Sequence, residues 1–427
     1  MNFIIDFLGC KVNNYEVECI ANDLTKLGFT LCDKKAKPDI IIVNTCSVTE
    51  TSASKSRKMV RHYQLFNRKA IIVVMGCDVQ NEFDYYANEL KCSIVLGTVD
   101  RNKVVEYIKE YLANGKQIVV KEDLRKAKEY ENISIQKFFY NTRAYVKIQD
   151  GCDNFCSYCL IPYVRGRSRS RDKQDILNEI KELVKNNYKE IVLTGIDMCS
   201  YGKDLEGNIT FSDLLEDILK QNPDLYRLRI SSIEESQIDE HFITLLKEYK
   251  NIANHLHIPL QSGSKDILKK MNRKYNLSNY KEKIAKIREV RPNIAITTDV
   301  IVGFPTETEE NFLETFNFCK EINFSKIHVF PYSDRSGTVA SKITPKVSSF
   351  DKKSRVLSLI SLSEKMKYDY EKQFVGKDIP FLFENYDKKR KAYRGHSSNY
   401  LEIYYPSTED LIGKVKNIKF GLWFWQC

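Results

Sequence analysis

Apolar runs of strand length alternate with amphipathic stretches along the first quarter of the chain. The strand-like runs are Asn2–Leu8, Asp39–Thr45, Ala70–Gly76 and Ser93–Leu96. Between them, Tyr15–Leu27 and Thr51–Phe66 carry apolar residues at the spacing of a helix. Because a βαβα order places helices between the strands of one parallel sheet, residues 1–115 are predicted to form an open parallel α/β domain.

A second alternating series occupies residues 142–347. Its strand-like runs are Ala144–Gln149, Glu190–Thr194, Tyr226–Ile230, His255–Pro259, Ala295–Ile301 and Lys326–Phe330. Helical patterns separate them at Asp172–Lys185, Glu235–Tyr249, Ser278–Val290 and Glu307–Ile322. Six β/α units without a seventh or an eighth predict a partial, open (β/α)6 barrel, in which functional groups collect at the C-terminal ends of the strands.

The remaining segments have a different texture. Residues 116–141 are charged and have no clear period, which indicates a linker, and residues 348–370 are predicted to form a connecting helix. Residues 371–427 contain short β runs and are predicted to close into a small β-barrel of the oligonucleotide-binding kind. Basic and aromatic residues alternate there, which favours stacking on unpaired bases, although about half of the aromatics are explained equally well as barrel core.

Charge and composition indicate the kind of partner and the cellular location. The chain has 67 Lys and Arg against 57 Asp and Glu, a net charge of +10 that suits nucleic acid or simply a lysine-rich proteome. No apolar run reaches the roughly 18 residues of a membrane span, and the start of the chain does not resemble a signal peptide. We therefore expect a cytoplasmic protein without a membrane partner, whose twelve cysteines stay reduced.

Two groups of cysteines point to metal chemistry. Cys10, Cys46 and Cys77, here called the N-terminal trio, follow the first three strand-like runs. Parallel strands end at one edge of a sheet, so this trio is expected to gather where ligands bind.

The second group, here called the barrel trio, is the C-x3-C-x2-C run of Cys152, Cys156 and Cys159 after the first barrel strand. Three thiolates suit a [4Fe–4S] cluster and leave one iron open. A zinc site is the weaker alternative, because it would require a fourth ligand at typical spacing.

The barrel trio at the opening of a (β/α) barrel resembles the radical S-adenosylmethionine (SAM) superfamily. With the N-terminal trio ahead of the barrel and a small β-barrel behind it, the chain is similar over its whole length to the methylthiotransferases of that superfamily. The runs Leu256–Ser264, Met271–Tyr275 and Thr298–Pro305 are similar to family motifs. The C-terminal segment would then be the TRAM domain, which holds the substrate.

This resemblance implies two [4Fe–4S] clusters and SAM as cofactors. The open iron of the barrel cluster would bind SAM and generate a 5′-deoxyadenosyl radical, while the N-terminal cluster would handle sulfur. Tyr158 matches the residue that lies beside the adenine, and Gly195, Ser232 and Gln261 are further expected contacts of SAM. A reductant of the flavodoxin or ferredoxin type and a sulfur source are the implied partners.

Within the family, Gly9–Asn13 and Ile161–Arg171 look most like the MtaB type, which acts on N6-threonylcarbamoyladenosine at position 37 of tRNA. The product would be the 2-methylthio base. The branch that acts on isopentenyladenosine usually has Gln-Met-Asn after the first cysteine, and the branch that acts on a ribosomal-protein aspartate has Pro-Lys-Asn. These two reactions stay open as alternatives. A non-catalytic iron–sulfur RNA-binding protein is a third, but it predicts four cysteines for each cluster.

Four arginines follow the barrel trio at alternate positions: Arg165, Arg167, Arg169 and Arg171. Guanidinium groups bind phosphate through two hydrogen bonds, so this run is interpreted as a clamp for the tRNA backbone. A solvated basic loop is the alternative, and one of the four could instead contact the cofactor carboxylate.

The chain departs from the family pattern at two places near the expected cofactor region. Asp197-Met198-Cys199 stands where the branch commonly has His-Leu-Gly, and Thr306 replaces a usual glycine. Cys199 is expected to be an ordinary packed cysteine rather than a seventh ligand.

Overall fold

The computed structural model describes residues 1–33, 36–127, 129–139, 141–207 and 209–421. The N-terminal strands are β1 (Asn2–Phe7), β2 (Thr30–Leu31), β3 (Ile40–Thr45), β4 (Ile71–Gly76), β5 (Ile94–Leu96) and β6 (Ile118–Val120). They form one parallel sheet in the order β2-β1-β3-β4-β5-β6. The helices between them are α1 (Lys11–Lys26), α2 (Glu50–Phe66), α3 (Cys77–Asn81) and α4 (Val104–Asn114).

Helices cover both faces of this sheet. Phe3 and Ile5 of β1 pack with α1 and α4 on one face, while Ile4 packs with α2 and α3 on the other. Successive side chains of a strand point to opposite faces of the sheet. Because helices cover both faces, the strands are apolar on both sides. The predicted open parallel α/β domain is therefore confirmed, with the short strands β2 and β6 in addition.

The segment predicted as a linker is more ordered than its charge suggests. Strand β6 lies within it and pairs with β5. Ile133, Ile135 and Phe138 are buried in the core of the barrel. Because charged residues surround these few apolar positions, the local sequence has no period from which their packing could be predicted.

The central part contains six parallel strands in two three-stranded sheets, with a short antiparallel pair beside them. Its strands are β7 (Ala144–Lys147), β8 (Gln149–Asp150), β9 (Arg169–Ser170), β10 (Glu190–Thr194), β11 (Arg227–Ile230), β12 (His255–His257), β13 (Ala295–Val302) and β14 (Lys326–Pro331). The sheets β11-β10-β7 and β12-β13-β14 are joined by a parallel bridge from Leu228 to Ile252. The six strands thus follow chain order around an open barrel, as predicted.

The barrel helices lie outside these strands. They are α5 (Ile161–Arg165), α6 (Lys173–Lys185), α7 (Phe211–Gln221), α8 (Glu240–Glu248), α9 (Lys265–Lys270), α10 (Leu277–Val290) and α11 (Glu309–Ile322). Side-chain oxygens of Asp172, Thr210 and Asp239 accept hydrogen bonds from the first turns of α6, α7 and α8, which explains where these helices begin.

The predicted connecting helix is α12 (Ser349–Lys372). No helix in the described ranges is both long and apolar enough to cross a bilayer. After α12 come β15 (Asp378–Asp387), β16 (Ala392–His396), β17 (Glu402–Tyr405) and β18 (Val415–Lys419). They form an antiparallel sheet in the order β17-β16-β15-β18, so the predicted closure into a barrel is not seen within the described residues. Residues 422–427, with three of the predicted aromatics, lie outside that range.

Candidate active site

The N-terminal trio lies at one edge of the parallel sheet. Cys10 caps α1 after β1, Cys46 follows β3, and Cys77 opens α3 after β4. These three strands are neighbours in the sheet, so their carboxyl ends bring the cysteines together. At Gly9, φ is +113° and an added Cβ would lie 2.8 Å from the Sγ of Cys46. A glycine is therefore required for the backbone to pass this close to the sulfur.

Cys46 and Cys77 are buried, whereas Cys10 is exposed. Burial raises the pKa of the Cys77 thiol to about 12 and also raises that of Cys46, while the guanidinium of Arg165 opposes both shifts. Arg165 donates a hydrogen bond from Nε to the Sγ of Cys77 over 3.2 Å. A bound metal would itself deprotonate these thiols, and Arg165 would then stabilise the Cys77 thiolate.

The barrel trio lies on the loop between β8 and α5. Each of its sulfurs is placed to accept one hydrogen bond. The backbone N–H of Asn154 points to Cys152 and that of Ile161 points to Cys159, both at 3.4 Å. Arg273 Nη1 lies 3.6 Å from the Sγ of Cys156. Burial raises the pKa of the Cys152 and Cys159 thiols, and the two backbone donors oppose that rise, which favours the thiolates that bind iron.

A second segment holds this loop in place. The N–H of Ser157 donates to the carbonyl of Met271 over 3.0 Å, and its hydroxyl donates to the backbone carbonyl of Lys270 over 2.8 Å. The side-chain amide of Asn272 donates to the carbonyls of Asn154 and Phe155. The sequence motif at Met271–Tyr275 thus has a physical role, because it anchors the cysteine loop.

Both trios fit a four-iron cluster better than a mononuclear zinc site. Sulfurs on one tetrahedral zinc stand about 3.8 Å apart, given a Zn–S bond of about 2.3 Å. Among the described residues, only His257, Asp299 and His328 bring three potential ligand atoms within 4.8 Å of one another, so neither cysteine trio is so compact. Cysteines of a [4Fe–4S] cluster bind different irons and are wider apart. Three sulfurs at each site therefore suit two clusters.

Comparison with known proteins agrees with this geometry. Residues 146–319 match the radical SAM superfamily, and residues 2–97 match the uncharacterized protein family UPF0004. Threonylcarbamoyladenosine tRNA methylthiotransferase MtaB of Bacillus subtilis is 40% identical over 96% of this chain and 92% of its own length. The tRNA-2-methylthio-N(6)-dimethylallyladenosine synthase of Clostridium tetani is 37% identical over 98% of this chain and 93% of its own. The chain belongs to the radical SAM tRNA methylthiotransferases.

Solved structures show the same fold at greater distance. The radical SAM methyltransferase TsrM of Kitasatospora setae superimposes with a TM-score of 0.57 at 14% identity, over 77% of this chain and 72% of its own. The cobalamin-dependent SAM radical enzyme OxsB gives 0.54 at 13% identity, over 85% of this chain and 56% of its own. The fold of this methylthiotransferase is therefore shared over most of the chain with these solved structures.

A cavity of about 220 Å³ lies beside the barrel trio of this methylthiotransferase. Its walls include Cys156, Asp197, Glu234 and Arg273, of which the last two form an ion pair. Cys199 also lines it, and its sulfur accepts the Glu234 N–H at 3.0 Å. Sequence patterns did not single out Glu234 or Arg273, although Arg273 lies inside the family-like run Met271–Tyr275.

The four predicted SAM contacts do not line this cavity. Tyr158 packs against the apolar cluster around Ile267. Gly195 and Ser232 follow the ends of β10 and β11, and Gln261 has a φ of +61° where it bridges to β13. Tyr158 lies on the cysteine loop, and contact of these four residues with SAM remains a prediction. Thr306 has a φ of +68°, which explains why a glycine is usual there.

A cavity of about 910 Å³ lies between the α/β domain, the inner face of the barrel and the C-terminal sheet. Gly9 and Lys11 enter it from beside Cys10. Most of its lining side chains can be charged or are polar: Lys11, Ser231, His255, His257, Thr297, Asp299, Lys326, His328, Lys367, Glu371, Arg390, Arg394, His396 and Glu402. Phe330 is the one purely hydrocarbon side chain among its described lining residues. This cavity therefore suits a polar ligand.

The predicted phosphate clamp is wrong for three of its four arginines. Arg165, Arg169 and Arg171 are buried at 0%, 4% and 1% exposure, so they cannot reach an RNA backbone. Arg171 pairs with Glu179 over 2.6 Å, and Arg169 donates to the carbonyl of Arg165. Arg167 alone of the four is at the surface.

Arg165 belongs instead to a buried ionic cluster that joins two domains. Its Nη1 lies 2.9 Å from both Glu16 and Asp150, and the Nζ of Lys147 lies 3.1 and 2.6 Å from the same two carboxylates. Arg101 contacts both acids as well. Burial alone would raise the pKa of Glu16, but Arg101, Arg165 and Lys147 hold it well below its usual value. Since Glu16 lies on α1 and Asp150 precedes the barrel trio, the cluster fixes the two cysteine sites relative to each other.

Proposed function

We propose that this chain converts N6-threonylcarbamoyladenosine at position 37 of tRNA to its 2-methylthio derivative by radical SAM chemistry. The observation that carries the proposal is the polar, basic cavity beside the N-terminal trio, in a chain 40% identical to a relative named for this base. The dimethylallyladenosine reaction is the alternative, because relatives named for it are 37% identical.

Two clusters and SAM would supply the radical and the sulfur, and the residues of this chain supply the setting. Cys152, Cys156 and Cys159 would hold the cluster that binds SAM. Glu234 and Arg273 offer an anion and a cation for the ammonium and carboxylate groups of its methionine part. The larger cavity would receive the base and exclude water from it.

The surface around the barrel trio offers contacts for RNA. The side chain of Arg167 is 67% exposed and lies over the ring of Phe155, which in turn contacts the exposed Tyr163. Arg390 lies over Tyr404 on the C-terminal sheet, with both facing the cavity. Cations beside aromatic rings bind phosphates and stack on unpaired bases. We further propose a flavodoxin or ferredoxin as electron donor, a separate sulfur source, and a cytoplasmic location, where tRNA is modified.

Nucleoside mass spectrometry of tRNA tests the proposal. A deletion strain should lose 2-methylthio-N6-threonylcarbamoyladenosine and accumulate its precursor. Wild-type protein should restore the modification, and a Cys152→Ala variant should not. Loss of 2-methylthio-isopentenyladenosine, with the threonylcarbamoyl product unchanged, would assign the chain to the other base.

A further inference from the structure

Lys11 is a cation that no carboxylate of the described residues pairs with. It is the first residue of α1, directly after Cys10, and its partly buried side chain lines the larger cavity. Within the described ranges, its Nζ has neither a hydrogen bond nor an ion pair with a protein oxygen. A charge that is partly withdrawn from water is costly unless an opposite charge meets it, so a ligand that completes this site carries an anion.

The other cations of the cavity differ from Lys11 in this respect. Lys367 pairs with Glu371 over 3.9 Å, and Arg394 pairs with Glu402. Lys326 lies close enough to Glu371 for an electrostatic attraction that opposes protonation of this carboxylate. Lys11 has no such carboxylate among the described residues, and the nearby guanidinium groups of Arg143 and Arg229 add to the positive charge around it.

The two candidate bases differ in the one feature that Lys11 would detect. A threonylcarbamoyl group ends in a carboxylate and carries a hydroxyl, whereas a dimethylallyl group is a hydrocarbon. The cavity wall has many charged groups and no Val, Leu, Ile or Met among its described lining residues, so a dimethylallyl group would desolvate charges without compensation.

We propose that the ammonium of Lys11 pairs with the threonyl carboxylate of the substrate base and thereby selects this base over uncharged ones. The inference rests on the proposed function and assigns its specificity to one side chain. The lysine would act as a binding residue, and the N-terminal trio beside it would hold the cluster that supplies sulfur.

The test measures the affinity of the anaerobically reconstituted holoenzyme for two anticodon stem-loop RNAs. One carries N6-threonylcarbamoyladenosine at position 37 and the other carries plain adenosine. Wild-type protein should prefer the modified RNA, and Lys11→Gln should lower that preference by about 10-fold to 100-fold, because a charge-assisted hydrogen bond is lost. The affinity for plain RNA should not change, which also shows that the variant is folded.

Two further variants sharpen the result. Lys11→Arg retains the charge and should retain most of the preference. Lys367→Gln removes the same charge from the same cavity, but from an existing ion pair, and should change the preference by less than about fivefold. A Lys11→Gln protein that keeps the full preference, or that weakens both RNAs equally, overturns the role of Lys11. If wild-type protein shows no preference for the threonylcarbamoyl RNA, the proposed function itself fails.

Discussion

The two cysteine trios reach similar ligand sets by different routes. The N-terminal trio comes from three strand ends that are far apart in sequence, so its geometry depends on the register of β1, β3 and β4. The barrel trio lies on a single loop, whose shape depends on hydrogen bonds to Lys270, Met271 and Asn272. The geometry of the first site should therefore persist as long as the sheet is intact, whereas that of the second depends on contacts with one neighbouring segment.

The donors to the sulfurs differ in the same way. At the barrel trio, two of the three donors are backbone N–H groups of the loop itself. At the N-terminal trio, Arg165 reaches Cys77 from the other domain. A side-chain substitution can thus remove the Arg165 donor of the N-terminal trio, but it cannot remove the two backbone donors of the barrel trio.

Removal of the ligands gives the largest expected effect. Replacing Cys152, Cys156 and Cys159 by Ala should remove about half of the roughly eight irons bound after reconstitution and all SAM cleavage. Replacing the N-terminal trio should remove the other half and leave SAM cleavage intact. Iron analysis and 5′-deoxyadenosine formation measure both outcomes. An N-terminal triple variant with its full iron content would contradict the second cluster.

Arg165 and Arg167 form the next comparison. Arg165→Ala leaves Glu16 and Asp150 short of a buried partner and should lower the free energy of unfolding by about 3–5 kcal/mol. Arg167→Ala removes an exposed ion pair with Asp153 and should cost at most about 1 kcal/mol. Denaturant unfolding measures the difference.

Binding of tRNA should reverse that ranking. The salt dependence of tRNA affinity should become shallower by about one unit in Arg167→Ala, because one phosphate contact is lost. An unchanged slope in this variant would remove Arg167 from the RNA-binding surface. A stable Arg165→Ala protein would show that the ionic cluster does not hold the domains together.

Asn272→Ala should have a smaller effect than loss of the cysteines or of Arg165. Asn272→Ala loses two hydrogen bonds to the cysteine loop and places alanine at a φ of +59°, at a cost of about 1–3 kcal/mol. SAM cleavage should fall, while the spectroscopic signal of the N-terminal cluster stays. Asn272→Gly relieves the backbone but not the hydrogen bonds, so it should recover only part of the activity. Equal damage to both clusters would contradict the independence of the two sites.

The sequence was a good guide where a pattern is local. Strands, helices and the placement of Cys10, Cys46 and Cys77 follow from periodicity and from the rule that parallel strands end at one edge. The role of Arg165 could not be predicted, because its partners Glu16 and Asp150 come from other elements and only the fold shows that they are buried together. An arginine-rich run has the same appearance whether it faces solvent or acids.

Other departures have equally specific causes. Residues 116–141 were predicted as a linker because charges obscure the few apolar side chains that enter two cores. The unpaired state of Lys11 could not be predicted either, since it depends on where carboxylates from α12 and the C-terminal sheet come to lie. Sequence patterns identify the chemistry of the cysteines, but ion pairs between domains can be identified only from the folded structure.

The buried ionic cluster has a consequence for how this chain can change over generations. Its centre has two acids and three bases divided between the α/β domain and the barrel, and Glu131 pairs with Arg101 from the segment between them, so a charge lost on one side leaves an excess on the other. A substitution there persists only when a matching one follows in the other domain. We therefore expect chimaeras that exchange residues 1–115 between relatives to fold only when both donors carry the same charges at Glu16, Arg101, Lys147, Asp150 and Arg165. The two halves should be inherited as a single unit.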